Sequence, residues 1–308
     1  MPKRVLVSNL MMLKEKERFK DILKSHDIES IFTEIDQHLT KDQCLNFAGK
    51  IDGWLAGDDP GDEFVLSKMS PRLKIISKWG TGLDSFDLEA AKKLGIKITN
   101  TPHAFDEAVG EIAVGYILAL TREIITTHIA VTSGDWPKRQ QKSLSQLKIG
   151  LIGFGAIGQG IALRLSGFKT TVIYYDPVKS DNESFGAYPV SFNELNRTSD
   201  VILLCCNLNS TNQHLIDSSF LKNIKKGSYI VNLSRGGLID QAALEKSLIE
   251  GNLAGAALDV FQIEPLPLNS KLRELNVIFG SHNANNTQKA VEFVHKNTLD
   301  NLFDNLES

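Results

Sequence analysis

The chain has 308 residues, which is enough for two domains with substantial hydrophobic cores. Its formal net charge of −3 gives no general attraction to nucleic acids or anionic membranes, so neither is expected as a partner. No apolar run approaches the roughly 18 residues of a membrane span, and the charged start is unlike a signal peptide. Three scattered cysteines are too few for a disulfide framework. We therefore expect a cytoplasmic protein.

Apolar, β-branched strands alternate with helical segments along nearly the whole chain, which predicts parallel α/β architecture. In the first part, strands are predicted at residues 4–8, 31–34, 53–56 and 73–77, and helices at 15–25, 41–49 and 87–94. This part has no glycine-rich nucleotide motif. It is predicted to be a smaller doubly wound domain that does something other than bind a dinucleotide.

A long and mostly apolar helical stretch follows at residues 106–131, and a polar loop with a tryptophan runs on to residue 146. Such a helix can act as a hinge between domains or as a dimer surface. A buried connecting helix fits the pattern equally well, and the sequence leaves this choice open.

Residues 148–165 have the order of a buried strand, a glycine turn and a helix. In that order, Gly153 permits the tight turn, Gly155 lets the backbone approach a pyrophosphate, and Gly158 lets the helix pack on the sheet. Asp176 ends the next predicted strand, where a carboxylate accepts hydrogen bonds from ribose hydroxyls and repels a 2′-phosphate. The motif predicts NAD binding in preference to NADP, although Lys179 is compatible with some use of NADP. Glycine turns also serve plain packing, but this context favours the nucleotide.

Further strands are predicted at residues 200–206, 228–233, 254–260 and 276–280. The last segment, residues 287–306, has apolar residues at helical spacing, namely Ala290, Val291, Phe293, Val294, Leu299, Leu302 and Phe303. We expect it to form a helix that packs back on the first domain, because the second sheet is already complete.

Four ionisable side chains follow strands of the second part: Arg235, Asp259, Glu264 and His282. Ligands of open α/β sheets bind beyond the carboxyl ends of the strands, so these positions are candidates for a site. An arginine offers a planar fork for a carboxylate, although an isolated arginine after a strand is more often a surface charge. A histidine donates and recovers a proton near neutral pH, and a carboxylate on its far nitrogen would fix its tautomer and keep it charged. Arg235, Glu264 and His282 are therefore the charges needed to reduce a keto acid.

Together these segments resemble the D-isomer-specific 2-hydroxyacid dehydrogenase family, and most closely its 3-phosphoglycerate dehydrogenase branch, over essentially the whole chain. The matching segments are residues 78–84 (Lys-Trp-Gly-Thr-Gly-Leu-Asp), 100–102, 153–158, 233–240, 257–261 with 264–265, and 281–284. The resemblance implies two doubly wound parallel-sheet domains of the α/β class, with a Rossmann NAD-binding domain inserted in a flavodoxin-like substrate domain. The implied boundaries are 1–99 and 285–308 for the substrate domain and 100–284 for the cofactor domain.

The resemblance also implies functional residues. The implied catalytic residues are Arg235, Glu264 and His282. Contacts with NAD are predicted at Gly153, Gly155, Ala156, Ile157, Gly158, Asp176, Cys206, Asn207, Leu233, Ser234 and Asp259, the last on the nicotinamide carboxamide. Contacts with the substrate are predicted at Lys78, Trp79, Gly80, Thr81, Gly82 and Arg235, with backbone amides of 80–82 on the carboxylate. No metal site is predicted, and a homodimer through residues 106–146 is the expected assembly.

The chain departs from the family pattern in three places. Asn207 stands where a proline is usual, which puts the local contacts with the nicotinamide ribose in doubt. Gly280 and Ser281 precede His282 where Thr-Pro is common. The chain ends at Ser308 without the C-terminal extension of some phosphoglycerate dehydrogenases, so serine feedback through such a domain is not expected.

The expected substrate is a short 2-keto or 2-hydroxy acid. Lys78 lies where phosphoglycerate-type enzymes often have a basic residue, which favours 3-phosphohydroxypyruvate, followed by glyoxylate, hydroxypyruvate or pyruvate. A surface lysine at a strand end explains Lys78 equally well, and Trp79 either shapes the pocket or covers a domain interface. An NADH-sensing binding protein of the same fold is the alternative from another class, although a sensor does not need all three charged groups.

Overall fold

The computed structural model describes residues 2–178 and 185–306, so Lys179 lies outside the described residues. The chain divides into two compact units. Unit 1 consists of Met1–Ala104 and Thr287–Ser308, and unit 2 consists of Phe105–Asn286. Within the described residues, no helix combines the length and the apolar character that crossing a membrane requires.

The elements alternate in the way that the sequence predicts. The N-terminal segment of unit 1 contains β1 (Lys3–Val7), α1 (Leu10–Lys14), α2 (Lys16–Ser25), β2 (Ile28–Phe32), α3 (Lys41–Leu45), β3 (Gly53–Ala56), α4 (Glu63–Met69), β4 (Ile75–Lys78), α5 (Leu88–Lys93) and β5 (Lys97–Thr99). Unit 2 contains α6 (Asp106–Thr121), α7 (Ile124–Thr132), β6 (Lys148–Ile152), α8 (Ala156–Ser166), β7 (Thr171–Tyr175), β8 (Ala187–Pro189), α9 (Phe192–Thr198), β9 (Val201–Leu204), α10 (Ser218–Lys222), β10 (Ser228–Asn232), α11 (Gln241–Ile249), β11 (Leu253–Leu258) and β12 (Val277–Phe279). The final helix, α12 (Gln288–Leu306), belongs to unit 1.

Each unit is built on a parallel sheet. The strand order is β2-β1-β3-β4-β5 in unit 1 and β12-β11-β10-β9-β6-β7-β8 in unit 2. The chain order reverses between β9 and β6, which is the kind of switch point where open α/β sheets bind ligands. Strands β3, β4 and β9 are buried over their whole length, as expected for strands covered on both faces. The predicted fold class is confirmed.

The long helix predicted at residues 106–131 is interrupted. Helix α6 ends at Thr121, Glu123 has a left-handed φ of 49°, and α7 begins at Ile124. A left-handed residue cannot continue the α-helical hydrogen-bond ladder, so one apolar run becomes two helices. Other differences are smaller: β2 begins at Ile28, before the predicted strand, and the helix predicted at 41–49 ends at Leu45.

Helix α12 packs on β3, β4 and β5. Two side-chain hydrogen bonds fix it there: the Ser77 hydroxyl donates to the Thr298 carbonyl at 2.7 Å, and the Trp79 indole N–H donates to Nδ1 of His295 at 3.0 Å. Because Nδ1 accepts this bond, the ring proton of neutral His295 lies on Nε2. The C-terminal helix is therefore part of the structure that supports the residues following β4.

His295 is 1 % exposed and lies in a mixed apolar and charged environment. Its ring packs against that of Phe19 with centroids 4.8 Å apart, and its Nε2 lies 3.7 Å from the Glu15 carboxylate. Arg18 pairs with both Glu15 and Glu292 close by. Burial lowers the pKa of His295, and the attraction of the two carboxylates only partly opposes this effect.

We predict that the free energy of unfolding of unit 1 falls as the pH is lowered from about 7.5 to about 5.5. The unfolded chain takes up a proton near the ordinary histidine pKa of about 6.5, whereas folded His295 resists protonation down to lower pH. The stabilisation is complete above the ordinary pKa and is lost as the pH falls below it, with a slope of at most about 1.4 kcal/mol per pH unit. Urea unfolding followed by tryptophan fluorescence measures it.

The variant His295→Gln keeps an acceptor for Trp79 and is expected to flatten this pH dependence. His26→Gln, at the exposed residue that follows α2, is the matched control and should leave the dependence unchanged. An unaltered slope in His295→Gln would show that other groups cause it.

Candidate active site

The glycine turn between β6 and α8 is built by close backbone contact. Gly153 has a φ of +94°, and a Cβ on it would lie 2.7 Å from the backbone nitrogen of Cys206. A Cβ on Gly158 would lie 2.5 Å from the Gly153 carbonyl oxygen. Neither position has space for a side chain, so the end of β6, the start of α8 and the turn after β9 are packed against one another.

The same turn has open space where a ligand would need it. A Cβ built on Gly155 meets no atom within 4 Å. Because the N-cap residue of α8 is this glycine, no N-cap side chain occupies the N-terminus of the helix. Ala156 and Ile157 begin the helix, whose N-terminal amides carry partial positive charge. A bare turn at a helix N-terminus fits the pyrophosphate of a dinucleotide.

Asp176 is held beside this turn by main-chain amides. One carboxylate oxygen accepts from the backbone N–H of Phe154 at 2.7 Å, and the other accepts from that of Val178 at 2.8 Å. The negative charge that follows β7 is thus fixed beside the glycine turn. Its predicted contact with ribose hydroxyls stays a prediction.

The remaining predicted cofactor residues follow β9 and β10. The Ser234 hydroxyl donates to the Cys206 carbonyl, and the Asn212 side chain donates to the Asn207 carbonyl at 2.7 Å. Leu233 is buried under the same turn. Burial raises the pKa of the Cys206 thiol to about 11, which keeps it protonated near neutral pH. Cys206 therefore contributes shape and backbone groups beside the glycine turn, and its thiol carries no charge.

His282 and Glu264 form a hydrogen-bonded pair. Nδ1 of His282 lies 2.8 Å from Oε2 of Glu264, and the two side chains are 23 % and 18 % exposed. The other oxygen of Glu264 accepts from the backbone N–H of Phe261 at 2.9 Å. His282 itself has a left-handed φ of 55°, which is uncommon for a residue with a side chain. Nε2 of the imidazole is the ring nitrogen that does not face Glu264.

Arg235 follows β10, the neighbour of β11 in the sheet. The Asn232 side chain donates to its carbonyl at 2.9 Å, and its guanidinium donates to the Ser234 carbonyl at 2.9 Å. A Cβ on Gly236 would lie 1.9 Å from the carbonyl carbon of Phe261. The turn that carries Arg235 is therefore pressed against the turn that carries Glu264.

Asp259 ends β11 and is 2 % exposed. Its main-chain carbonyl accepts from the N–H of His282 at 2.7 Å, and its carboxylate accepts from the N–H of Ala284 at 3.0 Å. The structure thus gives Asp259 a role in holding the loop of His282. Its predicted contact with the nicotinamide carboxamide stays a prediction.

The predicted substrate residues Lys78 to Gly82 follow β4 in unit 1. Lys78 is only 4 % exposed, and its ammonium group donates to the Trp79 carbonyl at 3.0 Å and pairs with Asp58 at 2.9 Å. Trp79 is 5 % exposed, with its indole on His295. Both side chains are used within unit 1 to fix the start of this loop.

The carbonyl groups of Gly80 and Thr81 are also engaged. The first accepts from the N–H of Thr101 at 2.9 Å, and the second accepts from the Asn100 side chain at 2.6 Å. In a trans peptide the N–H points away from the C=O of the same unit, so the amides of Thr81 and Gly82 point to the opposite side. This orientation fits the predicted use of these amides as donors.

Sequence reasoning missed several residues that organise the site. Asp58 pairs with Lys78, the Asn232 side chain donates to the Arg235 carbonyl, and the Tyr116 hydroxyl on α6 lies beside the Asp259 carboxylate. Of these three, only Asn232 could have been identified from the sequence, since it stands near the end of a predicted strand, where site residues are expected.

The comparisons with known proteins agree with this geometry. The family description "D-isomer specific 2-hydroxyacid dehydrogenase, NAD binding domain" matches residues 114–284. The chain is 33 % identical over 298 residues to a hydroxypyruvate reductase of Thermotoga maritima, covering 95 % of each chain. It is 34 % identical over 262 residues to a D-3-phosphoglycerate dehydrogenase of Methanocaldococcus jannaschii, covering 83 % of this chain and 50 % of the relative. Its fold matches a glyoxylate reductase structure from Paecilomyes thermophila with a TM-score of 0.86 and 25 % identity, covering 100 % of this chain and 96 % of the other.

A parallel sheet with a dinucleotide turn and an acid–base pair at its carboxyl edge defines a nicotinamide-dependent oxidoreductase. More specifically, the chain belongs to the D-isomer-specific 2-hydroxyacid dehydrogenase family and uses NAD. The predicted family, enzyme class and cofactor are confirmed.

We predict that Gly236→Ala lowers kcat by about 100-fold, because the added Cβ forces the Arg235 turn away from Phe261 and misplaces groups by up to about 1 Å. The dissociation constant for NADH should change less than about threefold, since the glycine turn after β6 is built from other contacts. Steady-state kinetics and fluorescence titration measure the two quantities. Gly167→Ala is the control, because its Cβ approaches no atom closer than 3.9 Å. Equal kinetics in both variants would show that the contact between the turns is irrelevant to turnover.

Proposed function

We propose that the protein catalyses the reversible NAD-linked reduction of a short, unphosphorylated 2-keto acid to the D-2-hydroxy acid, with hydroxypyruvate or glyoxylate as substrate. The observation that carries the reaction is the 2.8 Å pair of His282 and Glu264 at the carboxyl edge of the unit 2 sheet. NADH, when bound at the glycine turn, supplies the hydride for the keto carbon.

His282 is the proposed proton donor. Because Nδ1 is paired with Glu264, Nε2 of the charged ring carries the proton that goes to the substrate oxygen, and solvent restores it afterwards. In the oxidative direction the neutral ring takes the hydroxyl proton. Glu264 stabilises the charged ring and is itself fixed by the amide of Phe261.

Arg235 and the loop after β4 are the proposed substrate anchors. The guanidinium offers paired donors to the carboxylate and polarises the adjacent keto group. The amides of Thr81 and Gly82 are proposed to bind the carboxylate, which the hydrogen bonds of their own peptide carbonyls support.

The environment of Lys78 favours an unphosphorylated substrate. Its ammonium is almost fully buried and already paired with Asp58, whose side chain is 39 % exposed, so a phosphate would have to compete with Asp58 for a buried cation. A relative matched over 95 % of each chain is a hydroxypyruvate reductase. We therefore place 3-phosphohydroxypyruvate, the substrate first expected from the sequence, behind hydroxypyruvate and glyoxylate.

We predict NADH oxidation with hydroxypyruvate or glyoxylate at a kcat/KM at least about tenfold above that with 3-phosphohydroxypyruvate. His282→Asn should lower kcat on the preferred acid by about 10² to 10⁴, the usual value of positioned acid–base catalysis, with little change in NADH affinity. Loss of NADH absorbance measures both, and Glu274→Gln, an exposed carboxylate of the same unit, is the control.

Several outcomes contradict the proposal. Retained turnover in His282→Asn would remove His282 as the proton donor. Preference for the phosphorylated acid, abolished selectively by Lys78→Met, would restore the phosphoglycerate assignment. Tight NADH binding without turnover of any keto acid would favour the sensing role.

We infer further that two copies associate through α7. None of the nine residues of α7, all of which the structure describes, is buried. Ile124, Ile125, Ile129 and Val131 are 43–57 % exposed, and such a contiguous apolar surface is typical of an interaction site. A second copy of this chain is the proposed partner, and the cytoplasmic location stays a prediction.

Light scattering at micromolar concentration is expected to give twice the 34.0 kDa mass of the chain. Ile129→Asp should produce the monomer, because it introduces a charge into the apolar face, whereas Leu88→Asp on unit 1 should not. A monomeric wild-type protein would contradict the assembly.

A further inference from the structure

The loop that carries His282 is fastened to a single buried residue. The main-chain carbonyl of Asp259 accepts from the N–H of His282 at 2.7 Å, and its carboxylate accepts from the N–H of Ala284 at 3.0 Å. A longer contact of 3.4 Å reaches the N–H of Asn283. One residue at the end of β11 therefore holds three successive amides of the loop.

The Asp259 carboxylate also has a neighbour from a distant part of unit 2. The hydroxyl of Tyr116, on α6, lies beside Oδ1 of Asp259, because both atoms surround the position of a Cβ on Gly280. Burial and the charge of Asp259 raise the pKa of Tyr116 to about 12, so its hydroxyl keeps its proton at neutral and moderately alkaline pH. A protonated hydroxyl in this place can donate to the carboxylate and so link the loop of His282 to the helix that precedes the cofactor sheet.

The fit around this bond depends on Gly280. A Cβ on Gly280 would lie 2.0 Å from Oδ1 of Asp259 and 2.5 Å from the Tyr116 hydroxyl. The hydroxyl and the carboxylate thus occupy the space that any side chain at position 280 would take. The family pattern commonly has a threonine at this place, and its side chain would meet the Tyr116 hydroxyl and the Asp259 carboxylate.

His282 has an unfavourable backbone conformation that the contacts of Asp259 must maintain. Its φ of 55° lies in the left-handed region, which is unfavourable for a residue with a side chain. A free loop would relax from this conformation, and the imidazole would leave its position on Glu264. The conformation persists because the neighbouring amides are bound to Asp259.

We propose that Tyr116 is a positioning residue for the reaction: through its hydrogen bond to Asp259 it holds the loop of His282 in the left-handed conformation that aligns the imidazole with Glu264. Tyr116 need not touch the substrate to do so. The proposal rests on the proposed catalytic role of His282, but the anchoring of the loop can be measured without it.

The experiment compares Tyr116→Phe with Tyr229→Phe, which removes a half-buried hydroxyl from β10 in the same unit. In the protein without added cofactor, amide hydrogen exchange of residues 280–286 should accelerate about tenfold in Tyr116→Phe, as expected for the loss of a hydrogen bond to a charged group, and remain unchanged in Tyr229→Phe. With NADH and the preferred keto acid, kcat should fall about tenfold while KM and the NADH dissociation constant change less than about threefold. The isotope effect with NADH deuterated at the transferred position should not decrease, because the affected step is the chemical one.

Gly280→Ala is the second variant, because its Cβ would separate the Tyr116 hydroxyl from the Asp259 carboxylate. It should reproduce the faster local exchange and the lower kcat, and it keeps the test decisive if Tyr116→Phe unfolds. Wild-type exchange and kcat in Tyr116→Phe would overturn the proposal, as would a fall in kcat accompanied by exchange that is faster throughout unit 2. Faster loop exchange together with full activity of His282→Asn would leave the anchor in place and refute the catalytic assignment instead.

Discussion

The contact between Gly236 and Phe261 is the constraint on which the rest of the site depends. Strands β10, β11 and β12 are neighbours in one parallel sheet, so the turns after them leave the sheet at the same edge. The backbone of Gly236 touches the Phe261 carbonyl, and the amide of Phe261 holds Glu264. Glu264 in turn holds His282. The position of the arginine is thus coupled to that of the histidine through the backbone of one residue, Phe261.

Main-chain amides hold the three carboxylates of the candidate site in unit 2. Asp176 accepts from two amides, Asp259 accepts from loop amides, and Glu264 accepts from one. An amide is fixed by the fold and cannot rotate away as a lysine can, so each carboxylate is oriented before a ligand arrives.

The sequence predicted the parts of the site that depend on local rules. The glycine turn, Asp176 and the charged residues after strands are recognisable because strand ends and residue chemistry are readable over short segments. The family resemblance added the grouping of Arg235, Glu264 and His282. The interruption of the long apolar helix at Glu123 was not predictable, because nothing in that apolar pattern marks a left-handed residue.

Contacts between residues distant in the sequence could not be predicted at all. Trp79 meets His295, and Tyr116 meets Asp259, across separations that only the folded chain brings together. Neither pair leaves a periodicity or a motif in the sequence. Their residue types are also common in cores, where a buried tryptophan or tyrosine needs a partner for its polar atom whatever the function.

Lys78 shows why such a contact changes the functional conclusion. From the sequence, a lysine before a glycine loop is equally a phosphate ligand or a surface charge, and both readings assume that the ammonium is accessible. In the fold the ammonium is buried and paired with Asp58, whose side chain is 39 % exposed. A phosphate bound by Lys78 would have to compete with Asp58 for the ammonium group. The proposed preference for an unphosphorylated acid rests on this competition.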